Sequence, residues 1–213
     1  LKPAPTINIW LVYFLSNFVL NLHVKIKFPQ NLDKMHKISK NTLSFLLDLK
    51  LNNNKEWFSN NKVRFEEAKA DFEQFVDALI LKIGEFDPKV SHLTAKKCVF
   101  RIYRDVRFSQ DKSPYKTHFG AHINPISTKT DVHSTSGYYL HLEPNGKTMI
   151  AGGAYLPEPN WIKNIRQEID YNGADFLKII ENQDFKDTFG QLQGEKLKRP
   201  PKGYSEDNPN IEL

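Results

Sequence analysis

The densest cluster of cationic and hydrogen-bonding side chains lies in residues 98–122, which read CVFRIYRDVRFSQDKSPYKTHFGAH. A guanidinium group presents five donors in a planar fork that matches phosphate or carboxylate, and a lysine adds a compact positive charge. The composition therefore indicates a surface that faces an anion, although it specifies no reaction. The residues predicted to bind the anion in this stretch are Arg101, Tyr103, Arg104, Arg107, Lys112, Tyr115 and Lys116.

Residues 98–108 alternate in polarity as a β-strand does, because successive side chains of a strand point to opposite faces. One predicted face is apolar apart from Arg104, which must snorkel, pair with a buried carboxylate or mark a bulge. The other face carries Arg101, Asp105 and Arg107, with the aspartate between the two arginines. This face either opens onto a ligand or forms a ladder of ion pairs on a solvated surface, and the pattern leaves both alternatives open.

A second alternating segment, residues 115–123, follows a turn-rich loop at residues 109–114. The two segments together predict a hairpin-like pair whose polar faces coincide. We expect the shared surface to be lined by Arg101, Arg107, Lys116, His118 and His122.

The candidate catalytic residues are two histidines and an aspartate. His118 or His141 would carry a proton, since imidazole titrates near neutral pH, and Asp105 would orient an arginine. Tyr103 would stack on the ligand, and Arg199, far along the chain, would close over the anion. If the protein is an enzyme, hydrolysis or transfer at phosphate fits this set best.

A metal site is the competing interpretation of the histidines. It could be built from His118, His122, His141 and Glu143. On an extended strand the histidines at positions 118 and 122 would lie about 13 Å apart, too far to share one ion without a bend. We therefore predict no metal site and assign no cofactor. The Walker loop, the nucleotide-binding glycine fingerprint, GxSxG and HExxH do not occur in the sequence.

Charge and cysteine content limit the classes of partner and compartment. The formal net charge is +5, of which residues 1–34 contribute +3 and the remaining chain +2. A globally basic nucleic-acid-binding protein is not indicated, so nucleic acid is the weaker alternative to a small anion or nucleotide. The single cysteine, Cys98, lies on the predicted apolar face and excludes an internal disulfide, which fits the reducing cytoplasm.

Residues 7–24 are apolar and are followed by Lys25 and Lys27. They form a signal or anchor, an amphipathic flank, or upstream sequence outside the mature protein. Polar interruptions and the lack of a small-residue cleavage site weigh against the first of these. We expect the natural protein to start near Met35, which makes residues 1–34 a non-native or flexible extension. Residues 35–213 would then form a single domain without a membrane segment.

The first half of that domain is predicted to be helical. Residues 42–51 form a short helix, and residues 55–60 a turn that carries Trp57 and Phe58. Residues 61–86 have apolar side chains every three or four positions, which predicts a long helix that faces the core.

The second half combines a hairpin with further helices. Residues 137–143 and 147–156 alternate around a Pro-Asn-Gly turn, which predicts two antiparallel strands. A helix is predicted from Pro159 to about residue 171, followed by one or two short helices across residues 173–190. This order predicts an α+β fold with N-terminal helices, a central antiparallel sheet and C-terminal helices.

Several segments together resemble a bacterial family catalogued as domain of unknown function 2461: NNNKEWFSNNKVRFEEA, FRIYRDVRFSQDKSPYKTHFGAH, GYYLHLEP with AGGAYLP, and KLKRPPKGY. The resemblance runs from about Ser44 to Leu213 and implies a single-domain α+β fold with no established activity. Residues 1–34 have no counterpart in the family pattern, and we expect the natural chain to continue beyond Leu213. The resemblance limits the implied site positions to the motif residues Arg101, Arg104, Asp105, Arg107, Lys112, Tyr115, Lys116 and Arg199.

Overall fold

The computed structural model describes residues 8–11, 36–126, 133, 135–192 and 197–213. Helices precede and follow an antiparallel sheet, so the predicted α+β fold is confirmed. Within those ranges, no helix combines the length and the apolar character that crossing a bilayer requires. The elements are, in chain order, β1 (Asn8–Leu11), α1 (Lys40–Leu51), α2 (Lys55–Asn60), α3 (Lys62–Gly84), a 3-10 helix (Pro88–Val90), α4 (Ala95–Cys98), β2 (Phe119–Ile123), β3 (Gly137–Leu142), β4 (Met149–Gly153), α5 (Pro159–Ile180) and α6 (Gln183–Phe189).

The described strands form one sheet in the order β1-β4-β3-β2. β2, β3 and β4 are antiparallel neighbours, and β3 with β4 is the predicted hairpin. Its turn places Asn145 and Gly146 at positive φ angles of 65° and 75°, a conformation that these two residue types tolerate best. β1 pairs with β4 in parallel and lies in the segment that the sequence analysis treated as an extension.

The helices begin where local side chains can satisfy free backbone N–H groups. The Ser39 hydroxyl accepts a hydrogen bond from the Thr42 N–H at 3.1 Å and caps α1. The side-chain Oδ1 of Asn54 accepts a hydrogen bond from the Trp57 N–H at 2.9 Å, so the predicted turn at residues 55–60 is the short helix α2. α3 confirms the predicted long helix, and its buried residues are spaced three and four apart: Phe65, Ala68, Phe72, Val76, Leu79, Ile80 and Ile83.

A layer of phenylalanine rings joins these helices to the sheet. Phe119, the first residue of β2, stacks on Phe72 of α3 with ring centroids 5.2 Å apart. It also stacks on Phe45 of α1 at 6.5 Å. All three side chains are buried. Because strand side chains alternate in direction, this packing turns the neighbours of Phe119 away from the helices.

The predicted strand across residues 98–108 is wrong. Cys98 ends the helix α4, where the Asp77 carboxylate accepts the Ala95 N–H at 2.6 Å. Within residues 99–118, all of which the structure describes, only Val99, Tyr103 and Tyr115 form β-bridges. Phe108, assigned to the apolar face, is 97% exposed. Here the hydrogen bonds that cap α4 and close the loop determine the conformation, although the side chains alternate in polarity. These contacts do not require the continuous main-chain hydrogen bonding of a β-strand.

The predicted hairpin-like pairing nevertheless exists within residues 99–118, which we call the site loop. The Phe100 N–H donates to the Gly120 carbonyl at 2.9 Å, and the Lys116 N–H donates to the Ile102 carbonyl at 2.8 Å. The two arms of the loop therefore run side by side. Regular strand pairing begins only at Phe119, four residues later than predicted.

The C-terminal helices confirm the prediction. α5 starts at Pro159 and reaches Ile180, but it consists of two helices joined by a kink at Asn172, where φ is −126° and ψ is 33°. The break falls where the first predicted helix ends, and the second part of α5 together with α6 corresponds to the predicted short helices across residues 173–190. The residue after Asn172, Gly173, is buried, and an added Cβ would lie 2.2 Å from the Asn210 side chain. Close approach of the C-terminal residues thus requires glycine immediately after the kink.

One side chain fixes the site loop to the helices. Asn53, in the connection between α1 and α2, donates from its amide to the Tyr115 carbonyl at 2.9 Å and accepts from the Tyr115 N–H at 3.1 Å. The amide therefore replaces a β-strand partner at this point of the loop.

Replacing Asn53 with alanine should lower the free energy of unfolding by about 2 kcal/mol, because both main-chain groups of Tyr115 lose their partner. Urea unfolding followed by circular dichroism measures this. The matched control is Asn52→Ala, since the exposed Asn52 amide bonds only the Asp48 carbonyl of its own helix. The control should change the free energy by less than about 0.5 kcal/mol. Equal losses in the two variants would contradict the anchoring role of Asn53.

Candidate functional site

A cluster of polar side chains lies on the sheet face opposite the phenylalanine layer. The β2–β3 register places Gly120 directly opposite His141, so residues two positions away from Gly120 and from His141 share this face. We call the cluster the polar site and define it as Lys116, His118, Tyr139, His141 and Glu143. All five side chains are partly buried.

Two imidazole rings stack at the centre of the polar site. The ring centroids of His118 and His141 are 4.1 Å apart and the planes differ by 27°. Both nitrogens of His141 are also engaged: Nε2 lies 3.1 Å from Glu143 Oε2, and Nδ1 lies 3.1 Å from the Tyr139 hydroxyl. The His141 ring is therefore held in position from three directions.

Glu143 is the acidic residue of the polar site. Its carboxylate lies 3.7 Å from Lys50 Nζ and 3.6 Å from Lys147 Nζ. Burial opposes its ionisation, but the hydrogen bond from His141 and the nearby lysines outweigh burial and lower the pKa of Glu143 below its usual value. The residue is thus a carboxylate at neutral pH.

His118 is a neutral imidazole at neutral pH. Burial, with additional contributions from the nearby His141 and Lys116, lowers the pKa of His118 to about 4, although Glu143 acts in the opposite direction. A neutral imidazole offers one nitrogen lone pair and one N–H donor, so it can accept a hydrogen bond, donate one or bind an ion.

Lys116 and Arg101 bring positive charge to the edge of the polar site. Lys116 Nζ lies over the Phe100 ring, 5.3 Å from its centroid. Burial lowers the pKa of Lys116, and the charge of Arg101 lowers it further, so the two cations are near neighbours. Among the described residues, neither cation has a carboxylate within ion-pair distance.

The other two arginines of the site loop are already paired. Arg104 binds Asp111 and the Ser113 hydroxyl, which closes the loop on itself. Arg107 binds both carboxylate oxygens of Asp105; its shortest hydrogen bonds run from Nε to Oδ1 at 2.9 Å and from Nη2 to Oδ2 at 2.6 Å. For these two arginines the structure shows the ion pairs that the sequence analysis gave as the alternative to a ligand.

Three further predicted residues lie outside the polar site. Lys112 donates to the Val106 carbonyl at 3.0 Å at the exposed tip of the site loop. Tyr115 is 5% exposed, and its ring stacks on Phe58 at 4.0 Å, which makes it part of the core. Tyr103 is 47% exposed and leaves one side of its ring open to a ligand.

Arg199 lines a separate cavity of about 570 Å³ between α5 and the C-terminal residues. Arg166 and Tyr204 line the same cavity, and none of its lining residues belongs to the site loop or to β2–β4. Within the described chain, no contact joins Arg199 to Arg101 or to the polar site.

His122 does not join the predicted surface either. It is 8% exposed, and its Nδ1 lies 3.2 Å from the Asn124 amide. Sequence reasoning missed the part played by Gly120, where an added Cβ would lie 3.1 Å from the Tyr139 hydroxyl. A glycine inside a strand, which often marks close approach of another group, was the signal that could have located it.

The ion pair between Arg107 and Asp105 can be tested through the pKa of Asp105. The hydrogen bonds from Arg107 hold this pKa at about 2. We expect Arg107→Ala to raise it towards the ordinary value of about 3.9, because the carboxylate loses its cation. Carbon NMR of the side-chain carboxyl groups measures the titration.

Asp111 is the internal control for that titration. Its pKa of about 2 depends on Ser113 and Arg104 and should not change in Arg107→Ala. A native Asp105 that titrates near 4 would show that Arg107 is free to bind a ligand.

Comparison with known proteins yields one family. The model of the family described as Conserved hypothetical protein (DUF2461) matches residues 41–213, a range that holds the site loop, β2–β4 and the polar site. No curated protein and no solved structure matches the chain. The resemblance noted in the sequence is thereby confirmed, and the chain belongs to the DUF2461 family of conserved hypothetical proteins.

Proposed function

We propose that the chain binds a small phosphate-bearing anion, such as a nucleotide or a sugar phosphate, beside the polar site. The single observation that carries the proposal is the neighbouring pair Arg101 and Lys116. Both are cations, Lys116 is partly buried, and among the described residues neither has a carboxylate within ion-pair distance, although the charge of Arg101 is felt by the Asp105 carboxylate. A partly buried cation beside a second cation is unfavourable until an anion arrives.

The surroundings of this pair supply what a phosphate group needs. The guanidinium of Arg101 can bind two oxygens at once, and Lys116 adds a point charge held over the Phe100 ring. The exposed ring of Tyr103 is available to stack on a base or a sugar. We place this function in the cytoplasm, where the buried thiol of Cys98 stays reduced.

If the site is catalytic, hydrolysis or transfer at phosphate fits it best. His141 would be the proton carrier, because Glu143 and Tyr139 hold its ring at both nitrogens. Asp105 would act indirectly, since its carboxylate orients Arg107. A binding module without turnover is the second candidate, and the ion pairs of Arg104 and Arg107 favour it.

The proposal predicts that phosphate-bearing anions stabilise the native chain. A ligand at one hundred times its Kd adds about 2.7 kcal/mol of stability, which raises Tm by roughly 5 to 10 °C in a chain of this size. Differential scanning fluorimetry with pyrophosphate, nucleotides and sugar phosphates, all in EDTA, measures the shift. The double variant Arg101→Ala/Lys116→Ala should weaken binding at least tenfold in calorimetry.

The matched control is Lys96→Ala/Lys97→Ala, which removes the same charge from exposed positions of α4. This control should bind the anion as the native chain does. No stabilisation by any phosphate-bearing anion, or equal weakening in both double variants, would refute the proposal. Selective stabilisation by single-stranded nucleic acid would identify the alternative partner.

A further inference from the structure

The geometry of the polar site points to a second ligand. We propose that His118, His141 and Glu143 together bind a divalent transition-metal ion of the zinc type. One nitrogen or oxygen atom from each of the three residues lies within 4.8 Å of the other two. Imidazole and carboxylate are the ligand types that zinc and its neighbours accept in proteins.

The distances suit an ion of this size. Zinc binds nitrogen and oxygen ligands at about 2.0 to 2.2 Å, so two ligand atoms of a tetrahedral site lie about 3.3 Å apart. His141 Nε2 and Glu143 Oε2 are 3.1 Å apart, which is close to that spacing. His118 stacks directly against His141, so a small side-chain rotation brings its nitrogen within reach of the same ion.

The strand pairing explains why the three ligands meet although the sequence analysis rejected a metal site. That rejection concerned two histidines on one strand, and the structure indeed keeps His122 away, hydrogen-bonded to Asn124. The ligands of the proposed site come instead from neighbouring ends of two paired strands: His141 lies in β3, Glu143 follows it, and His118 immediately precedes β2. The pairing of Gly120 with His141 brings His118 alongside the other two. Cross-strand neighbours lie close enough to share an ion, whereas residues four apart on one strand do not.

Tyr139 provides the outer support that metal-binding histidines usually have. Its hydroxyl lies 3.1 Å from His141 Nδ1. When an ion binds Nε2, the neutral ring keeps its proton on Nδ1 and donates a hydrogen bond to the tyrosine hydroxyl oxygen. Such outer partners fix the ring and raise its basicity as a ligand.

Three protein ligands leave at least one coordination position open, which is typical of a catalytic and not of a structural zinc site. The ligands are different side chains from Arg101 and Lys116, so the inference goes beyond the proposed anion binding and does not rest on it. An ion on His141 Nε2 would occupy the ring named above as proton carrier, so an occupied metal site is compatible with the proposed anion binding but not with that catalytic role of His141. If both sites exist, the ion lies beside the place where the phosphate group would bind.

Zinc binding to the EDTA-stripped and dialysed chain tests the inference, with no affinity tag present. Isothermal titration calorimetry should show one equivalent bound with a Kd of about 1 μM or lower. His118→Ala, His141→Ala and Glu143→Gln should each weaken binding at least tenfold, and Tyr139→Phe should weaken it less. Cobalt substitution gives an independent readout, because visible absorption reports the number of ligands without any assay of activity.

The matched control is His133→Ala, which removes a histidine that is not one of the three proposed ligands and whose ring bonds the Tyr155 carbonyl. Circular dichroism confirms that each variant is folded, and Glu143→Gln keeps the shape of the side chain if an alanine variant unfolds. Lack of saturable zinc binding by the native chain, or equal weakening in His133→Ala, would overturn the inference. Because the anion experiment is done in EDTA, either proposal can fail while the other stands.

Discussion

The packing of Phe119 between the helices determines where every polar side chain of the sheet lies. Its ring stacks on Phe45 and Phe72, so β2 has only one orientation that buries this large apolar surface. A shift of one residue would expose the ring and bury His118 in the core. The hydrophobic contact on one face therefore selects the chemistry presented on the other.

The site loop depends on a different kind of constraint. It has almost no regular strand pairing, and its shape is maintained by side chains that bond the main chain or one another. Asn53 binds both main-chain groups of Tyr115, and Arg104 binds Asp111 and Ser113 across the loop. Two aspartates thereby engage two of the arginines, so the charge left for a ligand is concentrated at Arg101 and Lys116.

The sequence was sufficient for the elements whose pattern is repeated over many residues. The stripe of α3 and the alternation of the β3–β4 hairpin predicted those elements correctly, because burial of one face dictates both patterns. The same reasoning failed for residues 98–108, which alternate in polarity although they form the end of a helix followed by a loop. Local alternation does not report which hydrogen bonds a backbone makes, and here capping by Asp77 and closure by Arg104 decided the conformation.

The residues of the candidate site were largely selected from the sequence, but their spatial arrangement was not predicted. Arg101, Lys116, His118 and His141 were all selected from the sequence, and the structure brings the last three together. Their grouping depends on the β2–β3 register, which a single sequence does not specify. Tyr139, His141 and Glu143 are alternate positions of one segment, so the alternation in the sequence places them on one face, but their hydrogen bonds are seen only in the structure.

Gly120 shows how the backbone of one strand controls a side chain on its neighbour. The missing β-carbon makes room for the Tyr139 hydroxyl, which in turn holds the His141 ring. The orientation of an imidazole is thus encoded at a position that has no functional group. Any comparison of this site among relatives should therefore examine the small residue on β2 together with the aromatic residue on β3, since the two positions form one steric unit.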